Sequence, residues 1–540
     1  MAEPGDRATD PVMAPILSGA HWQRLIARAT RAEVSAGDRL FSAGERNYPL
    51  VLIESGQVQL VREALAWADE EVVADLGPGA FAGDLGMLNG HASFLTARAT
   101  TTGTAYLLNR QALQQAMRED DELADIILRA LWARREFLRK SPTAQSLKLV
   151  GHGSSTEFLK LREFAERLDL AYTAVDLGAV GGTHPGHDLP RGDLPVAYLL
   201  GTPIVRATPG IVAELLGLSY EPDDGGEMDL VVIGGGPAGL ASAIYGASEG
   251  LRTLLLDSVA PGGQAAATSR IENYLGFPFG VSGMDLIGQA SLQAIKFGVQ
   301  ICAPCEATDL RPTDGGVVVT LSDGREIAAR AALITAGASY RTLSLPRWAE
   351  FEETSIYYAA TALEVKQVAG SPSVVVGGAN SAGQASLYLA ANGSPVHLVI
   401  RGDDIGARMS SYLANRIVEE QNITVHLGSQ LMSLEGDDVL EAVTIDTAGR
   451  VDARGLFCFI GADPASAWIR DVARDAAGFI LTGSDVVAGS GHAPLPFETS
   501  VPRVFAAGDI RHGSMKRVAA AVGEGSSAVA SVHRALAGLT

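Results

Sequence analysis

Residues 229–257 read DLVVIGGGPAGLASAIYGASEGLRTLLLD, and this stretch decides the class of fold. An apolar run leads into Gly234-x-Gly236-x-x-Gly239, a helical pattern follows, and a second apolar run ends at Asp257. The first glycine permits the turn, the second lets backbone approach a pyrophosphate at the helix N-terminus, and the third lets helix pack on strand. An acidic residue about 20 positions further on suits a ribose hydroxyl. The stretch therefore predicts a strand–helix–strand unit that binds a dinucleotide.

A second copy of the pattern occupies residues 373–401, SVVVGGANSAGQASLYLAANGSPVHLVIR. A strand, a glycine turn, a helix and a second strand recur in the same order. The glycines are altered, and the turn reads either Gly377-x-Ala379-x-x-Ala382 or, one residue later, Gly378-x-Asn380-x-x-Gly383. The copy predicts a second nucleotide-binding unit, and a Rossmann-like half that binds no nicotinamide is the alternative.

The residue at the end of the second copy bears on which nucleotide it binds. Ile400 stands at the spacing where the first copy has an acid, Arg401 follows it directly, and Arg408 is close by. A cation there suits a 2′-phosphate, so NADP(H) is favoured over NAD. The residues predicted to contact it are Gly377, Gly378, Asn380, Ser381, Ala382, Arg401 and Arg408.

Composition limits the other possibilities. The chain has 540 residues, enough for about three to four domains. With 42 Lys and Arg against 62 Asp and Glu, the net charge is −20, which argues against a broad nucleic-acid surface. Three cysteines exclude a disulfide scaffold and suggest a reducing compartment. The N-terminus lacks a signal-peptide pattern and no apolar run approaches 18 residues, so we expect a cytoplasmic protein without a membrane partner.

Residues 33–108 contain short alternating segments separated by glycine turns, which indicate a β-roll (jelly roll), and residues 111–140 read as helix. The pattern ending in PGAFAGDLGMLNG resembles the cyclic-nucleotide-binding domain, which we assign to residues 1–140. In that family an acidic residue bonds the ribose and an arginine pairs with the cyclic phosphate. Asp84 could replace the acid, but Phe94 and Leu95 stand near the arginine position, and Arg98 is out of register. A roll retained for packing, dimer contact or another ligand is the alternative.

Residues 146–222 follow a β-α-β-β-β-α pattern that resembles a thioredoxin or glutaredoxin fold, with Pro195 at the position of that fold's cis-proline. The redox position after the first strand reads Gly151-His152-Gly153-Ser154-Ser155 and lacks cysteine. Without a thiol nucleophile this unit is predicted to be a redox-inactive adaptor.

The order of the two dinucleotide motifs resembles thioredoxin reductase and its low-molecular-weight relatives over residues 227–540. The resemblance implies a multidomain protein with two Rossmann-like α/β domains, an FAD-binding domain at 227–341 and 490–540 and an NAD(P)-binding domain at 342–489 inserted in it. It also implies a homodimer. The FAD contacts expected from the first motif and the resemblance are Gly234, Gly236, Pro237, Ala238, Gly239, Asp257, Gly263, Gln264, Asn273, Ala336, Gly337, Gly508, Asp509, Lys516, Arg517 and Val518.

Thioredoxin reductases carry a Cys-x-x-Cys pair just before the second glycine turn, and here Tyr358 and Thr361 stand in those positions. Tyr358 is expected to face the flavin and to stack on it or shield it. The chain has another Cys-x-x-Cys, at Cys302 and Cys305, in what reads as a strand. An offset of three along a strand would place these side chains on opposite faces.

The sequence therefore predicts an FAD-dependent NAD(P)H oxidoreductase with no metal, whose electron acceptor is a quinone, oxygen, a small redox protein such as flavodoxin or ferredoxin, or a partner's disulfide. Three alternatives stay open. They are a thioredoxin-disulfide reductase that uses Cys302 and Cys305 or a partner's thiols, a ferredoxin or flavodoxin reductase, and a flavin sensor gated by a cyclic nucleotide or another ligand at the N-terminal domain.

Overall fold

The computed structural model describes residues 11–65, 68–140, 147–153, 155–168, 170, 172–178, 193–220, 227–266, 268, 271, 274–352, 354–358, 360, 362–486 and 493–538. The predicted residues Asn273 and Thr361 lie outside these ranges. No helix within them is long and apolar enough to cross a membrane.

The first unit is a roll of two four-stranded antiparallel sheets. Its elements are α1 (Gly19–Ile26), β1 (Thr30–Val34), β2 (Arg39–Phe41), β3 (Leu50–Ser55), β4 (Val58–Arg62), β5 (Glu71–Leu76), β6 (Phe81–Ala82), α2 (Gly86–Asn89), β7 (Thr96–Ala99), β8 (Gly103–Leu108), α3 (Arg110–Glu119) and α4 (Asp121–Lys140). The sheet orders are β1-β8-β3-β6 and β2-β7-β4-β5. Their inner faces share one apolar core that includes Phe41, Leu52 and Phe81.

The region read as one helix over 111–140 is two helices. Asp120 lies between α3 and α4 in an extended conformation, and its carboxylate accepts a hydrogen bond from the N–H of Leu123 at 3.0 Å. An N-cap aspartate competes with helix continuation in this way, so the break follows from local chemistry that the apolar spacing alone does not record.

The second unit has one four-stranded sheet. Its elements are β9 (Leu147–Gly151), α5 (Thr156–Arg167), β10 (Tyr172–Asp176), β11 (Val196–Leu199), β12 (Thr202–Ile204) and α6 (Pro209–Leu216). In the order β10-β9-β11-β12, β10 is parallel to β9, whereas β11 runs antiparallel to both β9 and β12. The Leu194–Pro195 peptide is cis. The thioredoxin-like assignment stays a prediction.

The third unit has a seven-stranded sheet between helices. Its elements are β13 (Met228–Ile233), α7 (Pro237–Ser248), β14 (Thr253–Leu256), α8 (Gly263–Ala266), α9 (Gly283–Lys296), β15 (Gln300–Cys302), β16 (Ala307–Pro312), β17 (Val317–Leu321) and β18 (Glu326–Ile334). The order is β15-β14-β13-β18-β17-β16, and residues 504–506 near the C-terminus also pair with β18. Strands β13, β14, β15 and the end of β18 are parallel, which brings their carboxyl ends to one edge.

The remaining elements form a second parallel sheet and return to the first. They are β19 (Ala338–Tyr340), α10 (Trp348–Phe351), β20 (Ile356–Tyr357), α11 (Ala362–Val368), β21 (Ser373–Val376), α12 (Asn380–Ala391), β22 (Val396–Val399), α13 (Ser411–Glu419), β23 (Ile423–His426), β24 (Leu431–Gly436), β25 (Leu440–Ile445), β26 (Gly449–Asp452), β27 (Gly455–Cys458), β28 (Ala462–Pro464), β29 (Val504–Ala506) and α14 (Val518–Leu536). The parallel order is β20-β27-β21-β22-β23, and β24-β25-β26 form an antiparallel sheet.

Candidate functional site

The first glycine turn leaves an open cradle at the start of α7. Gly234 has φ +108°, and a Cβ there would lie 2.5 Å from the carbonyl oxygen of Thr335. A Cβ on Gly239 would overlap the carbonyl oxygen of Gly234, so α7 packs directly on the turn. Gly236, which caps α7, differs because a Cβ there would meet no atom within 4 Å. Backbone N–H groups at a helix start beside open space fit a pyrophosphate.

Asp257 supports this turn from the end of β14. One carboxylate oxygen accepts the N–H of Gly235 at 2.8 Å, and the other accepts the N–H groups of Val259 and Ala260 at 2.9 Å. Burial raises the pKa of Asp257, and these three hydrogen bonds act in the opposite direction. Of the roughly four lone-pair positions of a carboxylate, three are used within the protein. One position is left for a ribose hydroxyl.

Residues of α8 lie on the other side of the cradle. Gly262 donates its N–H to the carbonyl of Gly235 at 2.7 Å, and a Cβ on Gly263 would lie 3.4 Å from the Cα of Gly236. Gln264 donates its side-chain amide to the carbonyl of Ala338 at 3.1 Å. This bond joins α8 to the segment that follows Ala336 and Gly337, and Gly337 is itself open to space at Cβ. The structure thus brings together the predicted contacts from three separate stretches.

The C-terminal segment closes the site at the start of α14. A Cβ on Gly508 would lie 2.9 Å from the Cβ of Ala238 in the first turn of α7. Asp509 follows, and burial raises its pKa, while Lys516 opposes that shift. A partly buried carboxylate beside an open cradle fits a polyhydroxyl chain. The ammonium nitrogen of Lys516 lies 4.7 Å from the ring centre of Phe479. Arg517 is the N-cap residue of α14, which begins at Val518.

Sequence reasoning missed Glu524, which holds this end of the site in place. Its carboxylate accepts the N–H of Gly508 at 2.8 Å and pairs with Arg511 at 2.8 Å. Glu524 and Arg511 are both largely buried, so the pair fixes Gly508 against α7. The available signal was a lone carboxylate in the small-residue run AAAVGEGSSAV of α14.

Tyr358 is held inside the second nucleotide unit. Its ring stacks on Tyr340 with centroids 5.1 Å apart, and its hydroxyl donates to Glu352 at 2.5 Å and accepts from the indole N–H of Trp348 at 3.2 Å. Burial and the Glu352 hydrogen bond raise the pKa of Tyr358. Two residues later Ala360 pairs with the backbone of Thr268, which places this segment against the first nucleotide unit. The flavin-facing role of Tyr358 stays a prediction.

The second glycine turn leaves less open space than the first, because Ala379 stands at one of its positions. Gly377 has φ +147°, and a Cβ on Gly378 would lie 3.1 Å from Ile400. Ala379, in the place that corresponds to Gly236, is extended and exposed, so its methyl group projects where the first turn is open. Asn380 begins α12, and its side chain accepts two hydrogen bonds from Ser410 at 2.7 and 3.1 Å. Ala382, which follows Ser381 in α12, is fully buried and has no exposed surface.

Arg401 and Arg408 lie beside this turn. Arg408 pairs through its backbone with Ala379, and Arg401 follows the end of β22. Both side chains are exposed, and neither forms an ion pair within the described residues. Two available guanidinium groups next to a helix start fit a phosphorylated ribose.

Cys302 and Cys305 contradict the prediction that they face opposite ways. The strand ends at Cys302 and the chain turns, so both thiols are buried in one core and interact with each other. That contact and burial raise the pKa of Cys302, and the same contact lowers the pKa of Cys305. The N–H of Asp257 donates to the carbonyl of Cys302 at 3.1 Å, and the N–H of Cys305 donates to the carbonyl of Asp257 at 2.7 Å. The pair therefore lies beside the backbone of Asp257.

The roll uses its predicted ribose-binding acid internally. One oxygen of Asp84 accepts hydrogen bonds from Tyr48 and from the N–H of Gly86, and the other accepts from Ser93 at 2.8 Å. Phe94 packs against the core of the second unit, and the N–H of Ala92 donates to the carbonyl of Leu216 at 2.9 Å. Arg98 pairs with Glu70 at 2.7 Å. These contacts favour a packing role for this segment of the roll.

Replacing Asp84 with alanine is expected to lower the melting temperature of the roll by several degrees, because Tyr48, Ser93 and Gly86 would lose a buried acceptor at a cost of about 1–3 kcal/mol. Asp75→Ala, at an exposed position, serves as the control. Differential scanning calorimetry measures both. Equal, small shifts in the two variants would show that Asp84 contributes no structural support.

The loop that follows β9 in the second unit, residues 151–155, contains no cysteine. Gly153 and Gly178 donate their N–H groups to the same oxygen of Asp176, each at 2.8 Å, which fixes the turn after β9. Ser154 lies outside the described residues, and within those residues no group of three or more His, Cys, Asp or Glu could hold a metal.

Comparison with known proteins agrees with the two glycine turns. The model of the pyridine nucleotide-disulphide oxidoreductase family matches residues 228–525, and that of the cyclic nucleotide-binding domain matches residues 31–120. Thioredoxin reductase of Neurospora crassa is 31% identical over 322 residues, which cover 57% of this chain and 93% of the relative. NADPH-dependent thioredoxin reductase 3 of Arabidopsis thaliana is 30% identical over 359 residues, covering 63% of this chain and 65% of the relative.

Two solved structures are similar to the same part of the chain. Thioredoxin reductase from Lactococcus lactis has a TM-score of 0.51 and 28% identity, and covers 58% of this chain and 100% of its own. Thioredoxin reductase from T. acidophilum has a TM-score of 0.52 and 25% identity, with coverage of 58% and 99%.

Proposed function

Because the chain belongs to the pyridine nucleotide-disulphide oxidoreductase family and is an oxidoreductase of the thioredoxin reductase type, we propose that it oxidises NADPH and reduces an external acceptor without an internal dithiol. The family uses FAD and NADPH. When bound, FAD supplies the hydride chemistry, and the protein supplies position and electrostatics.

The residues of the first turn support a role in holding FAD. Gly236 leaves room for the pyrophosphate, Asp257 keeps one acceptor position for the ribose, and Asp509 offers a carboxylate to the ribityl chain. Gly337 borders open space next to the cradle, and Gly263 lies against Gly236. The start of α14 lies at the far end of the cradle and includes Lys516, Arg517 and Val518. The backbone N–H groups at this helix start favour a negative charge.

The second turn and its two arginines support NADPH as the donor. Ala379 narrows the approach to α12, and Arg401 and Arg408 provide the contacts to the 2′-phosphate. Asn380 braces Ser410 and so fixes the loop after Arg408.

Ala379→Gly is expected to lower KM for NADPH by about three- to tenfold, because the exposed methyl group would no longer separate the pyrophosphate from the α12 start. Glycine is preferred to alanine at an N-cap, so the substitution should not destabilise the start of α12. Steady-state kinetics with ferricyanide as acceptor measures it. A KM that stays the same or rises would mean that the methyl group does not limit approach.

The observation that carries the proposal is the environment of Tyr358, which occupies one predicted cysteine position. Its hydroxyl is hydrogen-bonded to Glu352 and Trp348, and a phenol cannot form a disulfide, so this position supplies no redox-active thiol. Electrons would therefore leave for a quinone, oxygen, a small redox protein or a partner's disulfide. A homodimer and a cytoplasmic location belong to the same proposal.

The Cys302–Cys305 pair gives a test of the thioredoxin reductase alternative. Both thiols are buried in the core beside Asp257, so Cys302→Ser/Cys305→Ser is expected to leave reduction of the bound flavin by NADPH within twofold of the parent rate. Stopped-flow absorbance measures this, with Cys458→Ser as control. Retention of flavin reduction together with a tenfold loss of disulfide reductase activity would instead support an internal dithiol route.

A further inference from the structure

A cavity of about 680 Å³ lies between the roll and the unit that carries the first glycine turn. One wall is α3 of the roll. The other is formed by the end of α7, the start of β14 and the loop after α9, which includes Phe297, Gly298 and Gln300. A salt bridge of 2.8 Å between Lys296 of α9 and Asp125 of α4 holds the two units together nearby. The volume is in the range of small-molecule sites.

The wall from the roll is polar although it faces another unit. Leu113, Ala116 and Met117 point into the core of the roll. The opposite face of α3 carries amides and cations at helical spacing, namely Arg110, Gln111, Gln114, Gln115 and Arg118. Gln114 donates its side-chain amide to the carbonyl of Leu88 at 3.0 Å, and Gln115 donates to Glu119 at 3.1 Å. Gln111 and the two arginines are therefore the groups of this face that a polar ligand would meet.

The charge of the cavity is positive in a chain whose net charge is −20. Arg110, Arg118 and Arg252 line it, and its described lining includes no carboxylate. Arg110 and Arg118 form no ion pair within the described part of the chain. The neighbouring carboxylates are already used, since Glu119 pairs with Arg28 at 2.6 Å and Asp229 pairs with Arg330 at 2.7 Å.

The two arginines of α3 are well placed for an extended anion. Their backbones are eight residues apart, which is about 12 Å along the helix axis. Arg118 reaches across the cavity, because a Cβ on Gly298 would lie 2.9 Å from its terminal nitrogen. Guanidinium groups suit phosphate oxygens, and side-chain amides suit the hydrogen-bonding edge of a base.

We propose that this cavity binds a phosphorylated ligand of nucleotide size, with Arg110 and Arg118 on its phosphates and Gln111 on the rest. Neither Asp84 nor any residue of the two glycine turns lines the cavity, although Leu88 of α2 does. A ligand there would contact the roll and the first nucleotide unit at once.

The test is isothermal titration calorimetry of the FAD-loaded protein with ATP, AMP and inorganic pyrophosphate as separate probes. An Arg401→Gln/Arg408→Gln background removes the NADP phosphate contacts and keeps the cavity intact. Saturable binding is expected in that background. Arg110→Gln/Arg118→Gln should weaken it at least tenfold, and the exposed Arg129→Gln on α4 should not change it.

Gln111→Glu supplies a second variant that keeps both arginines and places a carboxylate in the cavity, and it should weaken binding as well. Tighter binding of ATP and AMP than of pyrophosphate would identify a nucleotide, and equal binding would identify phosphate alone. The proposal is overturned if no probe binds saturably up to 1 mM, or if the α3 variants bind as the Arg129 control does.

Discussion

Gly236→Val is expected to give a folded protein that retains less than about a tenth of its flavin. The added side chain would project from the cap of α7 into space where a Cβ meets no protein atom. Its backbone angles, φ −68° and ψ −177°, suit any residue, so folding does not require glycine there. The bulk would instead displace the pyrophosphate from the N–H groups of α7. Flavin absorbance of the purified protein, relative to protein concentration, measures the loss.

Gly315→Val is the matched control, because Gly315 lies in the same unit, is exposed and has no atom within 4 Å of a Cβ. It should retain flavin at the parent level. Circular dichroism should show the same helix content in both variants. Full flavin retention in Gly236→Val would place the pyrophosphate elsewhere and remove the basis for the first site.

Arg401→Gln/Arg408→Gln should raise KM for NADPH by about 100-fold and leave KM for NADH within twofold. Each guanidinium–phosphate hydrogen bond contributes about 1.5–3 kcal/mol, and 1.4 kcal/mol corresponds to a factor of ten. Only NADPH has the 2′-phosphate, so the loss should be selective. Steady-state kinetics with both nucleotides measures the change in preference.

Arg454→Gln is the control, since Arg454 is exposed in the same unit and no described ion pair involves it. It should leave both KM values unchanged. A parallel rise for NADPH and NADH in the double variant would show that the two arginines support the fold of the turn and do not read the 2′-phosphate.

The sequence was sufficient for the glycine turns because their backbone requirements are local. Gly239 cannot carry a Cβ because the carbonyl oxygen of Gly234, five residues earlier, occupies that space, and Gly234 itself has φ +108°. The spacing of the motif records both requirements. The prediction that these stretches form strand–helix–strand units agrees with β13-α7-β14 and β21-α12-β22.

Interactions between distant segments were harder to predict. Cys302 and Cys305 meet because the strand ends at Cys302, and a short apolar run does not show where pairing stops. Glu524 gains its role only when α14 packs on α7 and Gly508 approaches Ala238. Asp84 matched a family position, but the hydroxyls that occupy it come from Tyr48 and Ser93 on other segments.

The most direct test of the central claim is anaerobic titration of the purified holoprotein with NADPH, followed at the visible absorbance band of the oxidised flavin. We expect rapid bleaching by about one equivalent of NADPH, slower bleaching by NADH, and full recovery when an external acceptor is added to the Cys302→Ser/Cys305→Ser protein. A bound flavin that NADPH does not bleach would contradict the account, because the second turn and its arginines would then not deliver electrons to the first site.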